Sequence, residues 1–433
     1  MIYKVLKVLV KLTMYFFFKN KIILNANKIP LDGPTILVAN HPVTFLDPLL
    51  VAVSTNRQVH FLAKGAMFKN GFIRMIFKAF KMIPVYRAQD NPSEMSKNED
   101  TFNYCYEHLE KGGLVLIFPE GISVTDRTLK PLKTGVARIA LGAEERNDFS
   151  LGVNIVPIGL TYEAPHQFRK DVLVNVGNPI NVGDFRAVYL TDERKAVKDL
   201  TNKIREQLEV LTLNVSQPEL TNLVDFLIME NAQRGIDFQN NVAKIKEILT
   251  ELTAKSSSYD SHELVEKMRM LNQKGKEIGL QNLSSDKGAG KIMLESIISI
   301  ITFVFGIPLL LFGFLHNAVP YYLSPVLARW VSKEYEYQGP ITMTAGMVIC
   351  LILYPIYFGI MFAYSESLLF SMCYLLSIPI VGIIAYGFFE QLNGLKLHWK
   401  FLFLFNKKSE QVAEFILERK ELLLEINRLR LDV

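Results

Sequence analysis

The chain has 433 residues, half of them hydrophobic, and carries 48 Lys and Arg against 43 Asp and Glu. A net charge of +5 is too small to argue for nucleic acid, although it suits a protein that lies on anionic lipid. The three cysteines, Cys105, Cys350 and Cys373, form no CxxC pair. We therefore expect a reducing compartment, without a disulfide framework or a metal site.

The first 25 residues combine basic and apolar side chains. Lys4, Lys7 and Lys11 recur at helical spacing among aliphatic residues, and the aromatic cluster 15–18 follows. No small-residue cleavage site follows, which argues against a signal peptide. The pattern predicts an amphipathic helix lying on the membrane surface, and the alternative is an ordinary helix packed on a core.

Residues 26–213 alternate between short apolar runs and helix-compatible segments. The predicted strands are 36–39, 60–63, 82–86, 114–118, 154–160 and 172–176, and the predicted helices are 49–55, 67–81, 93–111, 134–145 and 191–213. Short buried strands separated by helices indicate an α/β domain with a mostly parallel sheet flanked by helices. Ligand chemistry in such sheets gathers at the carboxyl ends of the strands.

A polar turn joins the first predicted strand of this domain to its first helix. Asp47 and Pro48 fit the cap and first position of a helix that begins at Leu49 or just before it. His41 then ends a strand while Asp47 opens a helix, so a turn can bring the two side chains together. A His oriented by a carboxylate is the usual general base for a hydroxyl. The alternative is a structural His and a carboxylate that only caps the helix.

Two further strand ends carry charged residues. Arg87 follows the predicted strand 82–86, and Glu120 follows the predicted strand 114–118. Both should project at the same edge of the sheet as His41. Taken singly, Arg87 is more often a surface arginine and Glu120 a turn residue.

The second half of the chain changes character twice. Residues 214–290 predict soluble helices without a chemical motif, and 291–392 hold uncharged segments at 296–315, 341–363 and 367–389, each near the ~20 residues that a bilayer core requires. Residues 393–433 predict an amphipathic tail. Lysines in this tail favour the cytoplasm, so we expect segment 296–315 to bend at Gly306-Ile307-Pro308 and re-enter, leaving two spans.

Four motifs in fixed order carry a family resemblance. They are His41 to Asp47, Ile83-Pro84-Val85-Tyr86-Arg87, Phe118-Pro119-Glu120-Gly121-Ile122-Ser123 and Val156-Pro157-Ile158-Gly159. Over residues 26–207 the chain resembles the glycerolipid acyltransferase superfamily, and most of all its fungal-type glycerol-3-phosphate acyltransferase branch. That family usually spaces its His and Asp by four residues, whereas five intervene here.

The resemblance implies roles for the matching residues. His41 would remove the proton from the acceptor hydroxyl, and Asp47 would hold the imidazole and stabilise its charged form. Arg87 would bind the acceptor phosphate through its planar fork of donors. The remaining implied substrate contacts are Glu120, Gly121, Ser123, Lys130, Lys133 and Pro157.

The resemblance also implies an activity and its partners. The acyl donor would be acyl-CoA or acyl carrier protein, the acceptor glycerol 3-phosphate, and no cofactor or metal would be needed. The catalytic domain would face the cytoplasm as part of an integral membrane protein of phospholipid biosynthesis. One alternative is acylation of lysophosphatidate to phosphatidate, and another is a non-catalytic membrane protein that binds lipid. Transport lacks support because the apolar segments contain no charged residue.

Overall fold

A computed structural model describes residues 2–87, 92–254, 261–280, 289–407 and 409–428. The chain divides into two compact units. Unit 1 contains Met1–Ser216 together with Ser332–Met343, and unit 2 contains Gln217–Val331 and Thr344–Val433. The serine-rich segments 256–258 and 284–288, which the sequence predicts as hinges, lie outside the described residues.

Unit 1 is built on one eight-stranded sheet with the order β1-β7-β6-β2-β5-β3-β4, and β8 pairs with β6. The strands are β1 (Lys21–Leu24), β2 (Thr35–Ala39), β3 (Val59–Lys64), β4 (Met82–Val85), β5 (Leu114–Ile117), β6 (Asn154–Tyr162), β7 (Val172–Val176) and β8 (Ile180–Asn181). All pairings are parallel except those of β6 with β7 and β8. The predicted fold class, a mostly parallel sheet flanked by helices, is confirmed.

Helices cover both faces of this sheet. Those of unit 1 are α1 (Ile2–Phe17), α2 (Leu46–Val53), α3 (Gly71–Ala79), α4 (Asn98–Glu110), α5 (Gly135–Glu145), α6 (Arg186–Thr191) and α7 (Glu193–Leu211). Helices α1 and α2 contribute to the apolar core on one face, whereas α4, α5 and α7 contribute to the core on the other. Strand β2 is buried along its whole length because it lies between β5 and β6. Central burial explains its unbroken apolar sequence.

Three local features differ from the sequence prediction. Helix α2 begins at Leu46, so Asp47 lies in its first turn and does not cap it; the predicted start at Leu49 is wrong. Strands β1 and β8 were not predicted. Strand β1 is a half-buried edge strand of four residues, and such a short stretch carries no clear periodicity.

Helix α1 has two apolar sides. Val10, Met14 and Phe17 pack into the core of unit 1. Other large apolar side chains of α1 are exposed, and these are Ile2, Val5, Val8, Leu12 and Tyr15. The helix therefore packs on the core through one side and leaves a second apolar side exposed.

Unit 2 is entirely helical in its described residues. Its soluble-looking helices are α8 (Thr221–Gln233), α9 (Phe238–Thr253), α10 (Ser261–Ile278) and α14 (Ser409–Arg428). A buried ion pair joins two of them, since Arg419 Nη2 lies 2.6 Å from Glu230 Oε2. At the surface, Lys274 Nζ lies 2.8 Å from Glu418 Oε1. Helix α14 is thus fixed to α8 and α10.

Three helices are long and apolar enough to cross a membrane, which indicates membrane association. They are α11 (Ala289–Val331), α12 (Tyr335–Ser365) and α13 (Leu368–Lys407). Helix α11 continues through Gly306-Ile307-Pro308, with Pro308 inside the helix. Neighbouring helices that pack on an apolar helix allow it to keep an internal proline.

The first residues of α12 belong to unit 1. Gly339 lies directly against Pro165, where an added Cβ would come within 2.3 Å of the Pro165 carbonyl oxygen, so only glycine fits. Met343 joins the core beneath α1 and α2. Residues Ser332–Met343 therefore form a fixed part of the sheet-containing unit.

Candidate active site

The loop between β2 and α2 brings His41 and Asp47 together. His41 Nδ1 lies 2.8 Å from Asp47 Oδ2, and the Asp47 side chain is fully buried while that of His41 is 19 % exposed. Asn40 fixes the start of the loop, because its side chain donates to the Leu160 carbonyl and accepts from the Leu160 amide. The additional residue between His41 and Asp47 is accommodated in this loop.

Asp47 has three hydrogen-bond partners although it is sealed from solvent. Besides His41, the Val43 amide donates to Oδ2 over 2.7 Å and the Tyr162 hydroxyl donates to Oδ1 over 2.7 Å. Burial and the Asp47 charge raise the pKa of Tyr162 well above its usual value, so the phenol keeps its proton and remains a donor. Several donors thus hold the buried Asp47 carboxylate in one orientation.

The geometry assigns the His41 tautomer. The Asp47 carboxylate can only accept a hydrogen bond, so His41 Nδ1 must be the nitrogen that carries the hydrogen. Nε2 then keeps its lone pair. Nε2 forms no hydrogen bond with any residue in the described part of the chain. The ring stacks on Phe118, with centroids 4.0 Å apart. His41 thus has a fixed orientation and a nitrogen able to accept a proton.

Glu120 is joined to the main chain of the same loop. Its Oε1 accepts the His41 amide over 2.8 Å, and its Oε2 accepts the Lys130 amide over 3.0 Å. Burial raises the pKa of Glu120, while these two amides oppose that shift. Both carboxylate oxygens of Glu120 therefore bind main-chain amides. Glu120 fixes the backbone of His41, in addition to any contact with the substrate.

The segment after Glu120 supports the loop at several points. Ser123 Oγ accepts the Thr44 amide over 2.8 Å, and Thr125 Oγ1 donates to the Pro42 carbonyl over 2.8 Å. Gly121 has φ +69°, a conformation that favours glycine. Thr44 also has a positive φ, of 27°, and its hydroxyl donates to the Glu336 carbonyl over 3.1 Å. The unusual Thr44 conformation is held from both sides.

Arg87 lies at the same loop cluster. It follows β4, and its Nη1 donates to the Gly121 carbonyl. The structure therefore brings Arg87 to the segment that carries Glu120 and Ser123, at the carboxyl edge of the sheet. Burial of Arg87 is partial.

The three remaining residues predicted to contact the substrate, Lys130, Lys133 and Pro157, lie in different surroundings. Lys130 is half-buried and pairs with Asp126, whereas Lys133 is exposed, with its side chain beside Gly121. Pro157 is buried within β6, and its carbonyl accepts the Gly177 amide over 2.8 Å. Lys133 is therefore near the loop cluster, while Pro157 is a residue of the central sheet.

Sequence reasoning missed Tyr162 and the segment Ser332–Met343. Tyr162 ends β6, next to the strand that leads to His41, so the parallel pairing of β2 with β6 was the signal that could have found it. Nothing in the sequence around Glu336 indicates its contact with Thr44. Among the residues that the structure describes, no group of three or more His, Cys, Asp or Glu side chains is placed to bind a metal.

The part of the chain that contains this site is similar to known proteins. Residues 22–161 match the family model described as Acyltransferase. The chain is 27% identical to glycerol-3-phosphate O-acyltransferase 1 of Saccharomyces cerevisiae over 343 residues, which cover 55% of this chain and 45% of that protein. It is 38% identical to glycerol-3-phosphate O-acyltransferase 2 of the same yeast over 123 residues, which cover 28% of this chain and 16% of the relative.

Two further proteins are similar over most of their own length. The 1-acyl-sn-glycerol-3-phosphate acyltransferase of Bacillus subtilis is 24% identical over 191 residues, covering 43% of this chain and 86% of that protein. The crystal structure of the 1-acyl-sn-glycerophosphate acyltransferase PlsC of Thermotoga maritima superposes with a TM-score of 0.35 at 19% identity, covering 47% and 78% of the two chains.

The match to the yeast proteins is partial in length. The chain spans less than half of the length of either one. The matched residues 22–161 contain the His41–Asp47 loop, Arg87 and the Phe118 to Ser123 motif. Residues 22–161 therefore form a domain of the Acyltransferase family, and the chain is similar there to the fungal glycerol-3-phosphate O-acyltransferases.

Proposed function

We propose that this protein is a membrane-bound O-acyltransferase that esterifies glycerol 3-phosphate with a fatty acyl chain and yields lysophosphatidate. The observation that carries the proposal is the buried Asp47 carboxylate bound to His41 Nδ1, which leaves Nε2 open to take a proton. The donor is a thioester, either acyl-CoA or acyl carrier protein. Two yeast relatives named glycerol-3-phosphate O-acyltransferases support the acceptor.

The reaction needs one positioned base. As the acceptor oxygen attacks the thioester carbonyl, His41 Nε2 takes the hydroxyl proton and the imidazolium is stabilised by Asp47. The new C–O bond forms, the C–S bond breaks, and the proton passes from His41 to the departing thiolate. Tyr162 and the Val43 amide keep Asp47 in place throughout. No acyl-enzyme is formed.

The acceptor would bind beside this base. Arg87 holds the acceptor phosphate, for which a guanidinium offers paired donors. Glu120, Gly121 and Ser123 form the wall next to His41, and the positions of Glu120 and Ser123 on the loop backbone support that role. Lys130 and Lys133 would be secondary phosphate contacts, and Pro157 would shape the strand beside the acyl chain.

A second candidate acceptor is lysophosphatidate, which would give phosphatidate. The chain covers 86% of the length of the Bacillus subtilis protein, whose name states that activity. Its chemistry would be the same, with an acceptor that already carries one acyl chain.

Purified full-length protein, incubated with each acceptor and each donor, tests the proposal directly. We expect lysophosphatidate from glycerol 3-phosphate, identified by mass spectrometry of the lipid products. Phosphatidate formed only from lysophosphatidate would select the second candidate. If no pairing of donor and acceptor yields an ester, the protein is a non-catalytic lipid binder and the proposal fails.

We also propose a topology of two membrane spans, with the catalytic domain and the tail in the cytoplasm. Helices α10 and α14 flank the three apolar helices, and the Lys274–Glu418 ion pair joins them. Helices α10 and α14 therefore lie on the same side of the membrane. The chain between them must then cross the membrane an even number of times. The domain division that goes with this topology is 26–213 for the acyltransferase domain and 291–392 for the membrane region.

Contacts of α11 support its being the helix that does not cross. Gly313 packs on Ala385 of α13, Asn317 bonds to both Tyr354 of α12 and Ile378 of α13, and Ser324 packs on Gly346 of α12. The part of α11 up to Asn317 thus packs on α13, and the part from Asn317 onward packs on α12. The contact between Glu336, which follows α11, and the catalytic loop also supports a return to the catalytic side.

Labelling of single cysteines in intact cells decides the topology. A cysteine placed at Ser332 and another at the tail residue Glu410 should both resist an impermeant maleimide and react only after permeabilisation. A cysteine at Glu366, between α12 and α13, should react in intact cells. If the cysteine at position 410 is labelled in intact cells, the chain crosses the membrane three times and the proposed topology is rejected.

A further inference from the structure

Unit 1 contains a cavity of about 390 Å³ that is separate from the His41–Asp47 pair. It lies along the edge strand β4 and beneath α3. Its lining residues are Gly65, Phe68, Lys69, Arg74, Lys78, Met82, Pro84, Tyr86 and Lys97. A cavity of this size holds far more than a single phosphate.

The charge of the cavity has one sign. Four lining side chains are cationic, namely Lys69, Arg74, Lys78 and Lys97, and among the described residues that line it none is acidic. Lys97 Nζ lies 5.2 Å from the centre of the Tyr86 ring, and Arg74 Nε donates to the Phe68 carbonyl over 2.9 Å. Such a wall attracts a ligand that carries several negative charges.

Sheet order sets the distance between the cavity and His41. Strand β4 is three strands away from β2, in the order β2-β5-β3-β4. At a strand spacing of ~4.8 Å, three steps amount to about 14 Å. Arg87 also follows β4, but its side chain reaches back to the Gly121 carbonyl, next to Glu120. A glycerol phosphate whose hydroxyl reacts at His41 can therefore reach Arg87, but it is too short to place its phosphate in the cavity. The pantetheine arm of coenzyme A separates thioester and phosphates by a length of this order.

We propose that this cavity binds the nucleotide phosphates of an acyl-CoA donor. The thioester then lies beside His41, and the pantetheine arm runs along the carboxyl edge of the sheet past Arg87. The lining aromatic rings Phe68 and Tyr86 offer apolar surface to the adenosine, while the cations balance the phosphate charge. This inference deepens the proposed function and rests on it for the thioester at His41, but binding of coenzyme A does not depend on the identity of the acceptor.

The test compares donors that differ only in their phosphates. Lys69→Gln and Lys78→Gln, in full-length protein in zwitterionic nanodiscs, each remove one exposed charge from the cavity wall. For each variant, kcat/KM is measured with acyl-CoA and with acyl-pantetheine. We expect the ratio of the two to fall about twofold to fivefold per substitution, because exposed charge contacts are individually modest. Lys198→Gln, the same change on the exposed side of α7, should leave the ratio unchanged.

Equilibrium binding gives a second readout that needs no turnover. Free coenzyme A should bind the wild-type protein more tightly than pantetheine, and the difference should shrink in Lys69→Gln and at high salt. An unchanged donor ratio together with unchanged coenzyme A binding would overturn the proposal. A selective rise in the KM for glycerol 3-phosphate, or a selective loss of binding to phosphatidylglycerol vesicles, would overturn it as well, by assigning the cavity to the acceptor or to a lipid headgroup. Coenzyme A binding without esterification of any acceptor would retain the cavity assignment and reject the proposed function.

Discussion

The His41–Asp47 loop and the basic cavity beside β4 are built in opposite ways. Asp47 is fully buried and has three hydrogen-bond donors, whereas the four cations of the cavity lie at the surface. The loop orients one proton acceptor, and small displacements there would misalign the reaction. The cavity only has to attract charge, and its long side chains can adjust to the ligand. The contrast teaches that changes in the loop should lower kcat, while changes at cationic contacts should raise KM.

The largest effect should come from His41→Ala. Loss of a positioned general base should lower kcat by roughly 10² to 10⁴, with little change in KM. Initial rates over a range of both substrates measure the two constants. His262→Ala on α10 is the matched control and should keep wild-type turnover. A His41→Ala protein that is folded by circular dichroism and retains near-normal kcat would show that another group accepts the proton.

Arg87→Gln tests the other side of the comparison. A charge-assisted bond to phosphate is worth about 1.5–3 kcal/mol, so the KM for the acceptor should rise roughly tenfold to a hundredfold. The KM for the acyl donor should change little, and Arg87→Lys should recover only part of the loss. Arg194→Gln on α7 is a charge-matched control. A rise in the donor KM alone would move Arg87 from the acceptor site to the donor site.

Tyr162→Phe should sharpen the comparison by a smaller amount. It leaves Asp47 Oδ1 without its hydroxyl donor, so kcat should fall about tenfold, for a loss of ~1–3 kcal/mol at a buried acceptor. The substitution affects the orientation of His41 and leaves substrate contacts in place, so the KM values for both substrates should change little. An unchanged kcat with a lowered melting temperature would indicate that Tyr162 contributes only to packing.

The strand-to-helix order of the sheet could be predicted because central strands such as β5 are short apolar runs. Strand β5, predicted as 114–118, ends at Ile117, and all four of its residues are buried. The edge strand β1 escaped prediction because its residues are only half-buried and alternate in no clear pattern. Local propensity also misplaced the start of α2, since Asp47 faces His41 inside the first turn instead of capping the helix.

The site was predictable only where its residues are close in sequence or at strand ends. His41, Asp47, Arg87 and Glu120 carried signals of spacing and position. The supporting residues depend on long-range packing, as Tyr162 does with Asp47 and Glu336 with Thr44. Five residues between His41 and Asp47 cannot reveal that Thr44 takes a positive φ. That conformation depends on Ser123 and on the Glu336 carbonyl, both remote in the chain.

The contact between Thr44 and Glu336 also sets an order of events during biosynthesis. All eight strands have been synthesised once residue 181 has been added, whereas the carbonyl that binds Thr44 follows the whole of α11. A nascent or truncated chain that ends before residue 332 can therefore assemble the sheet but lacks one side of the support for its catalytic loop. The loop therefore gains its full set of contacts only after the whole of α11 and the segment Ser332–Met343 have been synthesised.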